Sequence, residues 1–142
     1  MRVHPRLQLG VEWNPLVDEV NPLLNAHLVT ETRTRPALIV GTSSDRIGTP
    51  SGTAYYATLS KDLSPWLDWP VAPYAGVSYG TFEDRARAIG GVSASLGGRF
   101  SSMLIWDGVN AHLSAGVELG RFNVTALLID LEDPGLSASV RF

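Results

Sequence analysis

Three side chains with the chemistry of an acyl-transfer site lie close together in the segment NAHLSAGVE (110–118). His112, Ser114 and Glu118 are separated by even intervals, so in a β-strand all three would project from one face. A hydroxyl, an imidazole and a carboxylate are the parts of a nucleophilic site. The same groups also form hydrogen-bonded polar clusters in protein interiors. We favour the polar cluster and keep His112, Ser114 and Glu118 as candidate catalytic residues.

The spacing of His112 and Ser114 is similar to the His-x-Ser motif of the outer-membrane lipid A 3-O-deacylases, which are small β-barrels. The resemblance covers these few residues, and Ala115 stands where that family has an asparagine. It implies a barrel enzyme that acts on lipid. Alternation points His112 and Ser114 toward the polar face of their strand, away from lipid, so a protein without catalysis is the preferred hypothesis.

Alternating polar and apolar residues, separated by turns, recur along the whole chain and predict an all-β fold. RLQLGVEW (6–13) is the clearest strand, and Pro15, Pro22 and Pro65 are expected to interrupt regular structure. We predict one domain over 1–142, an antiparallel up-and-down β-barrel of eight to ten strands with ten preferred. The ten candidate strands are 6–13, 24–33, 36–43, 53–61, 71–80, 86–96, 100–106, 111–119, 122–129 and 136–142.

The two faces of these strands differ in chemistry. The first collects apolar side chains, namely Leu7, Leu9, Val11, Leu28, Val77, Val92, Leu113, Ala115, Val117, Val124, Leu128, Leu136 and Val140. The second is polar, with Gln8, Glu12, Asn25, His27, Glu31, Ser93, Ser95, His112, Ser114, Glu118, Thr125, Ser137, Ser139 and Arg141. A soluble sandwich would place many lysines and glutamates on its polar face, but the chain has one lysine. The pattern favours a membrane barrel with a polar interior.

Aromatic residues near strand ends are typical of the two interfacial girdles of a membrane barrel. Trp13, Tyr56, Tyr79, Trp106, Phe122 and Phe142 are the predicted girdle residues. Alternate turns form two sets that differ in charge. The first set, which we call the acidic turns, is DEVN, SSDRIG, FED, DG and LEDP and holds Asp18, Glu19, Asp45, Glu83, Asp84, Asp107, Glu132 and Asp133; the second is TRTR, the SPWLDW segment, GGR and GR and holds Arg33, Arg35, Lys61, Arg99 and Arg121. If both termini are periplasmic, the acidic turns are external, although aspartate is also a common turn residue.

The end of the chain resembles the last strand of bacterial outer-membrane β-barrel proteins, which commonly finishes on an aromatic residue. Leu136, Ala138, Val140 and Phe142 alternate up to the terminus. The resemblance implies an outer-membrane location, membrane lipid as a partner, and recognition of this strand by the barrel assembly machinery as an assembly signal. The first residues, MRVHPRLQLGVEW, lack the apolar centre of a signal peptide, so either a leader has been removed or the chain is not exported.

Charged groups on the polar face would need partners inside a small barrel. We expect an ion-pair network in the lumen, formed by Glu12, His27, Glu31, Arg33, Arg87, His112, Glu118 and Arg141. The resulting role is structural, adhesive or that of a narrow pore. Two alternatives remain open: a soluble barrel or sandwich that binds a small apolar ligand, and the lipid-modifying enzyme.

Composition narrows the partners further. A net charge of -3 gives no basic surface for nucleic acid, and none is expected as a partner. No cysteine is present, and His4, His27 and His112 are not spaced as metal ligands. We predict no metal and no cofactor, and the oligomeric state stays open.

Overall fold

The protein consists of β-strands joined by turns and loops. The computed structural model describes residues 2–4, 6–14, 18–46 and 49–140. Within this part of the chain, no helix is long and apolar enough to cross a membrane. The strands are β1 (Arg2–His4), β2 (Leu7–Asn14), β3 (Glu19–Val29), β4 (Ala37–Ser44), β5 (Thr53–Ser60), β6 (Val71–Gly80), β7 (Arg85–Ser95), β8 (Phe100–Trp106), β9 (Ala111–Leu119), β10 (Phe122–Ile129) and β11 (Asp133–Val140).

All the strands belong to one sheet, in which each strand pairs with the next in antiparallel orientation. The predicted all-β, antiparallel, up-and-down fold is therefore confirmed. Ten of these strands are seven to eleven residues long, and β1 has three. Among the described residues no pairing joins β11 to β1 or β2, so the predicted closure into a barrel is not observed there. Residues 141–142, the end of the predicted last strand, lie outside the described part.

The sheet is strongly curled. Loops that follow strands four places apart in the sheet are in contact, which a flat sheet would not allow. Arg46, in the loop after β4, lies 3.9 Å from Asp107, in the loop after β8. Glycines on the concave face permit this curvature. A Cβ built on Gly91 would lie 2.7 Å from Cε1 of Tyr74 and would also meet the carbonyl oxygen of Leu104. The tyrosine ring and the neighbouring strand therefore approach the backbone more closely than any side chain allows.

The register assigns alternate residues to two faces. One inner row crosses the sheet through Tyr74, Gly91, Ile105 and His112. The adjacent outer row contains Val92, Leu104, Leu113 and Leu128. Residues directly opposite in a ladder project to the same side. The outer row is apolar, as alternation predicts, whereas the inner row combines His112 of the predicted polar face with Tyr74, Gly91 and Ile105.

Burial is inverted relative to a soluble protein. The buried apolar side chains of the described residues are two alanines, Ala37 and Ala54, whereas His112 is completely buried. Large apolar side chains on the outer face are exposed, including Val11 at 75%, Val77 at 59% and Leu136 at 77%. The structure thus has no large apolar core within the described part of the chain.

Several strand boundaries differ from expectation: β1 was not predicted, β3 ends at Val29 and not at Arg33, and β3 and β11 each begin earlier than predicted and contain a proline. Pro22 does not interrupt the chain but lies inside β3, opposite Val11 of β2, and the pairing of β3 with β4 begins only at Leu24. Pro134 lies inside β11, which pairs only with β10 among the described residues. A proline is tolerated where one side of the strand makes no ladder. Pro15 and the side chain of Trp13 lie outside the described part.

Candidate functional site

One end of the concave face carries a chain of polar contacts, which we call the mouth network. Its members come from four successive turns at this end and from the strands beside them. It comprises Asp45, Arg46, Glu83, Arg87, Asp107, His112 and Asp130. An up-and-down sheet brings alternate turns to one end, so these residues meet although they span most of the chain.

His112 is the buried centre of the network. Its Nε2 atom lies 3.0 Å from Oδ2 of Asp107, and the backbone N–H of Asp130 donates to its Nδ1 over 3.1 Å. An amide can only donate, so Nδ1 accepts and the ring proton resides on Nε2, pointing to Asp107. Both ring nitrogens are thereby occupied, and the imidazole serves to link two turns.

Asp107 begins the tight turn between β8 and β9 and serves two purposes. Its Oδ1 accepts hydrogen bonds of 2.8 Å from the backbone N–H groups of Val109 and Asn110. Its Oδ2 faces His112 and the guanidinium of Arg46. The turn geometry therefore fixes the carboxylate that orients the histidine. Gly108 has a φ of 97°, a conformation that glycine adopts without strain.

Glu83 joins two arginines at the mouth. Its carboxylate pairs with Arg87 on the neighbouring strand and with Arg46 at 3.1 Å. Hydrogen bonds from Arg87 and then Arg46 hold the pKa of Glu83 below its ordinary value, because both favour the ionised form. Glu83 therefore connects the β6–β7 loop to the β4–β5 loop by charge.

Asp45 forms a second connection between the same loops. Its carboxylate accepts from the backbone N–H of Arg46 over 2.7 Å and of Phe82 over 2.8 Å. The absence of a side chain at Gly80 makes room for it, because a Cβ there would lie 2.7 Å from Oδ2. Glycine at this position thus allows the loop carboxylate to approach the end of β6.

Below the mouth, the concave face encloses an elongated cavity of about 460 Å³. Its lining residues come from β3 to β8 and from the loops at the mouth. Four of them, Arg85, Arg87, Ile89 and Ser93, follow one another along β7, a distance of roughly 26 Å at about 3.3 Å per residue. Ligand pockets in proteins have volumes of about 300–1,000 Å³, so this cavity has the size of a small-molecule site.

Two tyrosines form part of the cavity wall. The Tyr56 hydroxyl bonds to the side-chain oxygen of Asn25, two strands away, and the ring of Tyr74 lies against Gly91. Tyr56 therefore lies inside, so its predicted place in an aromatic girdle was wrong. Of the other predicted girdle residues, Tyr79, Trp106 and Phe122 are exposed at strand ends, while Phe142 lies outside the described part.

The three candidate catalytic residues do not form one site. Ser114 lies on the same face as His112, but its hydroxyl is 3.4 Å from the carbonyl oxygen of Met103, a long contact. Glu118 is exposed near the opposite end of β9, where its backbone N–H bonds to Arg99. Because Asp107 and Asp130 occupy both ring nitrogens of His112, no contact prepares Ser114 as a nucleophile.

The described residues of the predicted lumen network do not form one cluster. Arg87 and His112 belong to the mouth network, whereas His27 and Arg33 are exposed. Glu31 pairs with Lys61 at the opposite end, where Lys61 Nζ lies 4.6 Å from the centre of the Trp66 ring. The side chain of Glu12 and the whole of Arg141 lie outside the described part.

The alternation of polar and apolar residues does not predict most members of the mouth network. Arg46, Glu83, Asp107 and Asp130 lie in turns, where the two-residue period gives no direction to a side chain. The signals that were present, Asp107–Gly108 and the acidic turns, were interpreted as turn chemistry. Asp107 does have that function, and the same carboxylate also orients His112.

No group of three or more potential metal ligands is assembled among the described residues. In comparisons with known proteins, no family model, no curated protein and no solved structure matches this chain.

Proposed function

We propose that this protein is a small β-barrel of the bacterial outer membrane, with lipid around its apolar face and polar side chains inside. The observation that carries the proposal is the inverted burial: a histidine is the most buried side chain, and large apolar residues face outward. Exposed apolar surface of this extent is rare on a soluble monomer. Lipid is the solvent in which such a face is favourable.

The dimensions of the strands support the same proposal. The outer positions of β6 are Val71, Pro73, Ala75, Val77 and Tyr79, with no charged residue among them. The ten residues of this strand match the nine to eleven that cross a bilayer at a tilt. Tyr79 and Trp106 lie at the end of the mouth network, and Phe100 and Phe122 lie at the other end. Exposed aromatic residues at both ends agree with two interfacial girdles.

A structural role fits the interior better than an open pore does. The mouth network extends across one end of the concave face, from Arg46 to Asp107 and His112. We assign this acidic end to the outside of the cell, and the end with Arg99 and Arg121 to the periplasm. In this orientation the carboxylates at the mouth lie on the external surface, where they would contact lipopolysaccharide or an adhesion partner.

Assembly depends in this proposal on the last strand. The outer positions of β11 include Leu136 and Ala138, both exposed, opposite Ala126 and Val124. The side chain of Val140 and the whole of Phe142 lie outside the described part. As in the proteins that this terminus resembles, the strand would be the segment that the barrel assembly machinery recognises.

The test is whether folding requires an amphiphile. Chain purified in denaturant is diluted into plain buffer or into buffer with dodecyl maltoside, and each sample is run on a gel with and without boiling. We expect a faster-migrating unboiled species only with detergent, because the outer face needs an apolar solvent. A folded monomer in plain buffer would overturn the proposal and make the outer face an ordinary protein surface.

A further inference from the structure

The charged side chains around the cavity differ in whether they have a hydrogen-bond or ion-pair partner within the protein. The acids Asp45, Glu83 and Asp107 each accept hydrogen bonds from backbone amides or arginines. Arg46 and Arg87 are paired with Glu83. The guanidinium of Arg85, which also lines the cavity, has no hydrogen-bond or ion-pair partner in the described part of the chain. Among the described charged residues that line the cavity, the guanidinium of Arg85 is the group left to bind an anion.

The wall beneath Arg85 is apolar along much of its length. Ile39, Ile89, Met103 and Ile105 line the cavity together with the tyrosine rings. Several polar groups of the wall are already bonded within the protein, since Tyr56 bonds to Asn25 and the Ser93 hydroxyl donates to the carbonyl of Ala72 over 3.2 Å. Such a wall suits a hydrocarbon chain better than a sugar or a peptide, which would require many free polar partners.

We propose that the cavity binds a single-chain amphiphile with a carboxylate head, such as a fatty acid. The head pairs with the guanidinium of Arg85 at the mouth, since arginine offers a carboxylate two parallel hydrogen bonds. The chain extends along β7 past Ile89 toward Met103. The cavity is present whether lipid or water covers the outer face. A negative result in the ligand test would therefore not contradict the proposed function, and a negative result in the detergent test would not contradict ligand binding.

Laurate is the probe, and dodecanol is its uncharged match. Protein in phosphatidylcholine nanodiscs, or in plain buffer if the chain folds there, is dialysed to equilibrium against radiolabelled laurate, with empty discs measured in parallel. We expect saturable binding of one laurate per chain above the empty discs. Arg85→Gln should weaken it about tenfold or more because the charge-assisted pair is lost. Dodecanol should bind more weakly and respond little to this substitution.

Arg121→Gln is the matched control, since Arg121 is an exposed arginine at the opposite end of the sheet. It should leave laurate binding unchanged. A second pair tests the chain site: Ala72→Phe fills the cavity and should reduce binding of both probes, whereas Ala75→Phe, on the outer face of the same strand, should not.

Absence of saturable laurate binding, or equal effects of Arg85→Gln and Arg121→Gln, would overturn the proposal. The β-sheet signal in circular dichroism, measured in the same medium as the binding, establishes that each variant is folded. If Ala72→Phe does not fold, the two arginine variants decide the outcome, because both positions are exposed.

Discussion

His112 Nε2 and Asp107 Oδ2 lie 3.0 Å apart, and this contact joins the turn between β8 and β9 to the interior of the sheet. The same imidazole accepts from the backbone of Asp130, in the turn between β10 and β11. One buried side chain therefore holds two neighbouring turns in register. The position that resembles part of a catalytic site is a structural bridge at the mouth.

Replacement of His112 by alanine should destabilise the fold by about 3 kcal/mol. The Asp107 carboxylate and the Asp130 backbone N–H would lose their partner in the buried imidazole, and loss of a partner inside a protein costs roughly 1–3 kcal/mol. The measurement is urea unfolding, followed by gel mobility without boiling. Ser114→Ala is the control on the same strand face and should cost about 1 kcal/mol or less, because the hydrogen bond from its hydroxyl to Met103 is long, at 3.4 Å. Equal effects would show that His112 contributes only its volume.

The stability contributed by Glu83 should depend on pH in a defined direction. Its pKa lies below the ordinary value of 4.5 because of Arg87 and Arg46. A group with a lowered folded-state pKa stabilises the protein above the unfolded-state value, and the contribution is lost as pH falls through the folded-state value. Wild type should therefore be more stable than Glu83→Gln at pH 7, and the difference should shrink below about pH 4.5.

Unfolding midpoints in urea at pH 7 and at about pH 3 give this comparison. Glu132→Gln is the control, since Glu132 is an exposed carboxylate at the same end of the sheet and forms no ion pair with an arginine of the described residues. A difference between wild type and Glu83→Gln that is constant over the whole pH range would mean that the two arginine contacts do not stabilise the folded state.

Gly91→Ala should be destabilising because the new methyl group has no space. It would lie 2.7 Å from the Tyr74 ring and would also meet the backbone of β8, and overpacking of this kind costs about 1–3 kcal/mol. Gly135→Ala is the matched control, since its Cβ would make an ordinary contact of 3.5 Å with Ile129. Denaturant midpoints of the two variants should separate, and coincident midpoints would contradict the close packing of Tyr74.

The strands could be predicted from the sequence wherever alternation is regular. The predicted segments 71–80, 100–106, 111–119 and 122–129 coincide with β6, β8, β9 and β10. The period also separated an apolar face from a polar one, since neighbouring residues of a strand point to opposite sides. The prediction was wrong at the start of β3, where Pro22 was expected to break the strand. The strand continues through Pro22 because it is paired on one side only at this position.

The site could be predicted only in part, because alternation fixes direction on strands and nowhere else. His112 was placed on the interior face from its parity, but its partners Asp107 and Asp130 lie in turns. The interior position of Tyr56 follows from its pairing with Gly41 and Ser78, and it was misjudged because proximity to a strand end was given more weight than parity. The cavity depends on the curl of the sheet, which no local pattern encodes.

Val77→Arg separates a lipid-facing surface from a water-facing one. Val77 is 59% exposed on the outer face of β6. In a bilayer, arginine on the lipid face costs about 2–4 kcal/mol near the midplane and less toward the interfaces, so we expect a loss of about 2 kcal/mol in lipid vesicles. In water the same change at an exposed site would stay within about 0.5 kcal/mol. Val109→Arg, in the β8–β9 turn, introduces the same side chain outside the lipid and should be nearly neutral. Urea unfolding in vesicles measures both variants, and equal stabilities for the two would place the outer face of β6 in water.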